Sequence, residues 1–281
     1  VSFDDGANWA PLMSGLPRAP FYGLVIQEHF NDLVIGTYGR GFYILDDLSP
    51  LQKLTPDVIA SASYLFPPRP AYRFVSVPGN YASSDDPTAG TNPRGDAVFN
   101  YWLKSVPQSA PSIVILDAAG KTVRTLTGTR KAGVNRVWWN LNNEATKTPK
   151  LRTKPMYDAE FTMDADGTRP APGFGTFSVQ VPPGRYTVKL TVDGTSFTQP
   201  LEIRKDPNQS AAPDAALAQN IAVVRNIGAD LDSAVTMINA LENVRGQLAA
   251  LKSAVGSDST RKDVVSAADS LDEKLRVVER K

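Results

Sequence analysis

Past Pro207 the spacing of apolar residues changes from two to the helical period, a switch that restricts the chain to a β-rich body followed by a helical tail. Leu217, Ile221, Val224, Gly228, Leu231, Val235 and Ile238 alternate spacings of four and three. After a short stammer, Leu241, Val244, Leu248 and Leu251 continue the stripe. Gly256-Ser257-Asp258-Ser259 supplies both a helix stop and an N-cap, and Val264, Ala268, Leu271, Leu275 and Val278 form a second stripe. The pattern predicts an antiparallel helical hairpin over 207–281, whose seams must be covered by one another or by something else. A seam left over would make the hairpin an assembly module.

Before Pro207 the signals are those of strands. GLVIQ, DLVIGTY and GFYILDD are β-rich runs separated by HFND and by GRG, which predicts a meander over 1–66. The rigid PPRP at 67–70 suits a boundary. From Ala71 to Asp206 strands resume as VFNYWLK, PSIVILD, KTVRTL, NRVWWNL, GRYTVKLTV and TSFTQPLEI. Asp117-Ala118-Ala119-Gly120 predicts a hairpin with glycine in the left-handed position. Tyr186, Val188, Leu190 and Val192 alternate with Thr187, Lys189 and Thr191, so one face is dry and the other wet, as in a β-sandwich over 67–206. The Pro-, Gly-, Thr- and Asp-rich stretch from Asn143 to Val181 exceeds an ordinary hairpin loop and is expected to wrap the sandwich surface.

Composition narrows the chemistry. Lys+Arg number 30 against 29 Asp+Glu, a net charge of +1, so no basic surplus draws the chain to nucleic acid. Cysteine is absent, which removes thiolate nucleophiles, disulfides and cysteine-bound metal. His29 is the one histidine, in the polar turn EHFNDL, so triads and multi-histidine centres lack their usual parts. No cofactor and no metal are expected. No apolar run approaches the roughly 18 residues of a membrane span, and Val1 does not open a signal peptide. Beginning without Met and ending with a helical stripe still running, the chain is expected to be a fragment.

The opening SFDDGANW has the form Ser2-x-Asp4-x-Gly6-x-x-Trp9. A carboxylate at the first corner can accept N–H groups across a turn, glycine takes a conformation closed to other residues, and tryptophan leaves the turn to fill a hydrophobic gap. The motif resembles the Asp-box of bacterial neuraminidase repeats, a turn between the third and fourth strands of β-propeller blades in sialidases, xyloglucanases and sortilin-type propellers. Asn31-Asp32-Leu33-Val34-Ile35-Gly36-Thr37-Tyr38-Gly39-Arg40-Gly41-Phe42 is similar to the second and third strands of a following blade, while LSPL after GFYILDD is a degenerate second box. ILDAAGKTVRTLTGTRKAGVNRVWWNLN with PPGRYTVKLTV is similar to the immunoglobulin-like domain named after the flagellar hook-capping protein. The resemblance implies a terminal blade segment at 1–66, an Ig-like sandwich with a long inserted loop at 67–206, and the hairpin at 207–281. It implies an extracytoplasmic bacterial protein, with the rest of the parent propeller and a glycan or protein ligand as partners. It also implies that Asp4 is a structural staple.

Glycoside hydrolysis needs two carboxyl groups across the scissile bond. Asp46-Asp47 are adjacent, so on a strand they face apart, and they read as a strand-end cap and turn. Asp85-Asp86, in a flexible polar stretch, offer oxygen ligands for Ca²⁺ but lack EF-hand spacing, and the loop reading is preferred. Arg40, between Gly39 and Gly41, has room to reach a sugar hydroxyl or a carboxylate, with Asp46 or Asp47 as structural partners. Of Trp138-Trp139, at most one is available for sugar stacking. Ligand-binding candidates are thus Arg40, Asp46 and Asp47, and no residue is assigned as catalytic. The expected role is a non-catalytic segment that closes and packs on a propeller; the alternative is one wall of a glycoside hydrolase whose catalytic carboxylates lie mainly upstream.

Overall fold

The computed structural model describes residues 1–13, 15–74, 95–155, 158, 160–171, 176–207, 213–256 and 258–279, and Asp85-Asp86 lie outside them. The chain combines β-sheets with helices and ends in a helical hairpin. It divides into two compact units, Val1–Leu141 with Val181–Ala212, and Asn142–Gln180 with Pro213–Lys281.

In the first unit, β1 (Phe21–Gln27), β2 (Asp32–Thr37) and β3 (Phe42–Leu45) form an antiparallel three-stranded meander. Short helical turns follow at Ser49–Gln52 and Pro56–Ala60, the second capped by the Thr55 side chain. Two further sheets share one core. The smaller joins β4 (Ser63–Leu65), β6 (Ala97–Leu103) and β9 (Gly133–Trp139). The larger joins β5 (Ala71–Arg73), β7 (Ser112–Leu116), β8 (Thr122–Thr127), β10 (Gly184–Val192) and β11 (Thr195–Lys205). Strand alternation explains the core: Tyr186, Val188, Leu190 and Val192 are buried, and Thr187, Lys189 and Thr191 between them are less so. From the smaller sheet, Phe99, Tyr101, Leu103 and Trp139 enter the same cluster. At the β7–β8 turn, Gly120 has φ 78° and the Asp117 carboxylate accepts the N–H groups of Ala119 and Lys121, each at 2.9 Å. Trp139 is buried, whereas its neighbour Trp138 is exposed, as strand geometry requires.

The second unit is built on α1 (Asp214–Val255), a 42-residue helix about 63 Å long, and α2 (Lys262–Glu279), 18 residues and about 27 Å. Gly256, at φ 58°, ends α1, and the Asp258 side chain accepts the Thr260 N–H before α2 begins. An α2 of that length can cover less than half of α1. The segment 142–180 supplies further cover. Its described part makes hydrogen bonds along α1, where Asp232 accepts the Lys147 N–H at 2.6 Å and Asn239 accepts that of Lys150 at 2.6 Å. The reason is polar: an extended segment with few strand partners needs acceptors for its N–H groups, and that face of α1 offers them.

Candidate functional site

The N-terminal turn is organised by its side chains. Asp4 Oδ1 accepts the Asn8 N–H at 2.8 Å and Oδ2 accepts the Asn8 side-chain amide at 2.7 Å. Ser2 Oγ donates to Asp4 Oδ1 at 2.9 Å and accepts the Gly6 N–H at 2.8 Å. Asp5 at φ 52° and Gly6 at φ 90° carry the left-handed bend. The Asn8 side-chain amide, then its backbone N–H, then the Ser2 hydroxyl hold the Asp4 carboxyl below the usual carboxylate range. Trp9 differs from expectation. It folds back so that Nε1 donates to the Gly6 carbonyl at 3.0 Å, yet it remains 74% exposed and fills no gap in this chain.

A few residues on, the meander presents apolar side chains on both faces. Register places Leu24, Ile35 and Tyr43 in one row and Ile26, Leu33 and Leu45 in the next, on one face. On that face Leu33 and Ile35 are buried in a small cluster with Leu48, Leu12, Leu16 and Leu51, while Leu24 on β1 is 66% exposed. The other face carries Val25, Val34 and Ile44 in one row and Phe42 beside Gly36 in the next. That face is open: Val25 is 63%, Ile44 62% and Phe42 81% exposed. Every residue of β1 is exposed, and its outer edge pairs with no strand among the described residues. FYGLVIQ contains no charge and no proline, the usual protections of a free edge.

At the far end of β3, Asp46 and Asp47 lead into a buried polar clasp. Asp47, at φ 59° and 4% exposed, accepts from Asn100 Nδ2 at 3.0 Å and from the Ser49 N–H at 3.2 Å, and pairs with Arg69 Nε at 3.6 Å. Arg136 donates to the main-chain carbonyls of Asp46 at 2.8 Å and Asp47 at 3.3 Å, and through Nε to Asn100 Oδ1 at 2.9 Å. Asp32 Oδ1 accepts the Asp47 N–H at 2.8 Å and lies 3.4 Å from Arg69 Nη1. Both oxygens of the Asp47 carboxylate are thus engaged by protein donors, an arrangement suited to fixing a corner. Arg40 sits elsewhere, exposed in the β2–β3 turn between Gly39 at φ 71° and Gly41 at φ 76°, and makes no ion pair with Asp46 or Asp47.

No protein-family model, curated protein or solved structure matches this chain. Among the described residues, no group of three or more His, Cys, Asp or Glu could hold a metal ion, and no helix is long and apolar enough to cross a membrane.

Sequence reading singled out Ser2, Asp4, Gly6 and Trp9, which do come together, and Arg40, Asp46 and Asp47, which do not form one site. It missed Asp32, Arg69, Asn100 and Arg136. Arg69 lies within the PPRP read as a boundary, and the only signal it offered was a charge between prolines.

Proposed function

We propose that the chain is a non-catalytic structural and interaction segment that closes a larger β-assembly by laying the open face of its N-terminal sheet against it. The observation that carries this reading is that open face, with Val25, Ile44 and Phe42 in adjoining rows beside an unprotected β1 edge. Strands dry on both sides belong inside a layered β-structure, and burying each of these side chains contributes about 1.5–3 kcal/mol. The Ser2–Trp9 turn has Asp-box character, so the assembly proposed is an Asp-box β-propeller in an extracytoplasmic bacterial protein, with the following β-domain as an Ig-like sandwich. Trp9, exposed over Gly6, would then fill its gap in the adjoining blade. Protein or glycan binding is the proposed activity of the parent. Acid–base chemistry is not assigned to Asp47, whose carboxylate is engaged by Asn100, Ser49 and Arg69.

The test is association of this chain with the propeller portion of its parent, produced as a separate polypeptide. Phe42→Ser combined with Ile44→Ser should weaken binding at least tenfold while the variant remains folded; unchanged binding overturns the docking face. An intact parent that releases reducing sugar from polysaccharides, and loses that activity on Asp47→Asn with folding intact, overturns the non-catalytic reading.

A further inference from the structure

Glu242 is a carboxylate with no exposure to solvent, about two-thirds of the way along α1. Its Oε2 accepts the N–H groups of Arg152 at 2.6 Å and Thr153 at 2.9 Å, and its Oε1 accepts the Thr153 hydroxyl at 2.9 Å. One turn on, Arg245 Nη1 lies 2.6 Å from Glu242 Oε1. The same guanidinium reaches α2, where Nε lies 2.9 Å from Asp272 Oδ1. Arg276 Nη2 holds the other oxygen of Asp272 at 2.9 Å. An unbroken line of hydrogen bonds and ion pairs thus joins the backbone of the segment at 152–153 to α1 and then to α2.

The line matters because its members cannot be removed independently. A buried carboxylate is tolerated only while a cation and hydrogen-bond donors are aimed at it. Arg245 is itself buried and divides its guanidinium between Glu242 and Asp272, so α2 helps fix the cation that neutralises Glu242. We infer that this line is a coupling device: docking of the 146–153 segment on α1 is conditional on closure of α2, and release of α2 loosens the segment. The strap contacts made by Asp232 and Asn239 lie up to three turns away along the same face of α1 and touch no residue of α2 in this line. Exchange at Lys147 and Lys150 therefore reports how far the loosening spreads along the segment.

Amide hydrogen exchange on the complete chain reads the coupling directly. Asp272→Asn removes the α2 carboxylate that holds Arg245, leaves the separate Lys252–Asp269 pair in place, and lies outside residues 146–153. Exchange at Arg152 and Thr153 should rise at least tenfold, and at Lys147 by a smaller factor. Reciprocity requires that Thr153→Val, which removes one donor to Glu242 from the opposite end, speeds exchange in α2 around Asp272. If Asp272→Asn does not fold, Arg276→Gln, at the solvent end of the line, should give the same pattern with a smaller factor. Faster exchange in α2 with rates at Arg152 and Thr153 unchanged within twofold would show two independent contacts and overturn the inference, as would an absence of any response in α2 to Thr153→Val.

Discussion

Asn100 Nδ2 lies 3.0 Å from Asp47 Oδ2, joining residues 53 positions apart, while Asn100 Oδ1 accepts from Arg136 Nε at 2.9 Å. One amide thereby orients a carboxylate and a guanidinium at once, and fixes the end of the N-terminal meander to β6 and β9. Both sides of that amide are used, which leaves a single orientation that satisfies the network.

Asn100→Leu should therefore cost about 1–3 kcal/mol, the penalty for leaving buried polar groups without a partner. Urea unfolding measures it. The double variant with Asp47→Leu should cost less than the sum of the two single changes, because the partners act as one unit. A loss below about 0.5 kcal/mol in Asn100→Leu, the range of an inconsequential surface change, would contradict the clasp.

Gly128→Ala should destabilise the β-domain by about 1–3 kcal/mol through overpacking. A Cβ there would meet Tyr101 Oη at 2.6 Å and Pro111 Cβ at 3.1 Å. The Tyr101 hydroxyl cannot easily withdraw, since it donates to the Thr129 carbonyl at 2.7 Å, and burial pushes its pKa up so that it stays a protonated donor. In a Tyr101→Phe background the same glycine change should cost less. Equal cost in both backgrounds, by thermal or urea unfolding, would show that the hydroxyl is not the obstacle.

Acid should loosen the opening turn through Asp4. Its folded-state pKa lies below the ordinary 3.8, so the stabilisation from its ionised form is fully present above that value and is lost as pH falls through the folded value. The Asn8 amide proton, which donates to Asp4 Oδ1, should report a midpoint below 3.8 in an NMR titration. A midpoint at or above 3.8, or an Asn8 amide that does not titrate, would contradict the turn geometry.

Local signals in the sequence were legible where the physics is local. Asp117 and Gly120 build a hairpin from contacts within four residues, the alternation around Val188 follows from strand geometry, and Gly256 with Asp258 ends one helix and starts the next. Glu242 was not legible. Read alone it is a solvated helix residue, but it sits where the apolar stripe of α1 stammers, between Ile238 and Leu241 on one side and Val244 on the other. There the seam turns polar because its partner is an extended backbone whose N–H groups need acceptors, not an apolar helix. Asn100, Arg136 and Arg69 escaped for the same reason: their partners are distant in sequence, and no periodicity marks a polar residue that is buried by a remote strand end.

The openness of the second face of the meander is tested most directly by comparing the chain with its Val25→Ser/Ile44→Ser variant in urea unfolding and in binding of an apolar fluorescent dye. Dye fluorescence should fall by at least half while stability changes by no more than about 1 kcal/mol, since two exposed side chains are being replaced. A loss of about 3 kcal/mol or more with dye binding unchanged would show that Val25 and Ile44 are packed within the chain itself, and that no further layer is required.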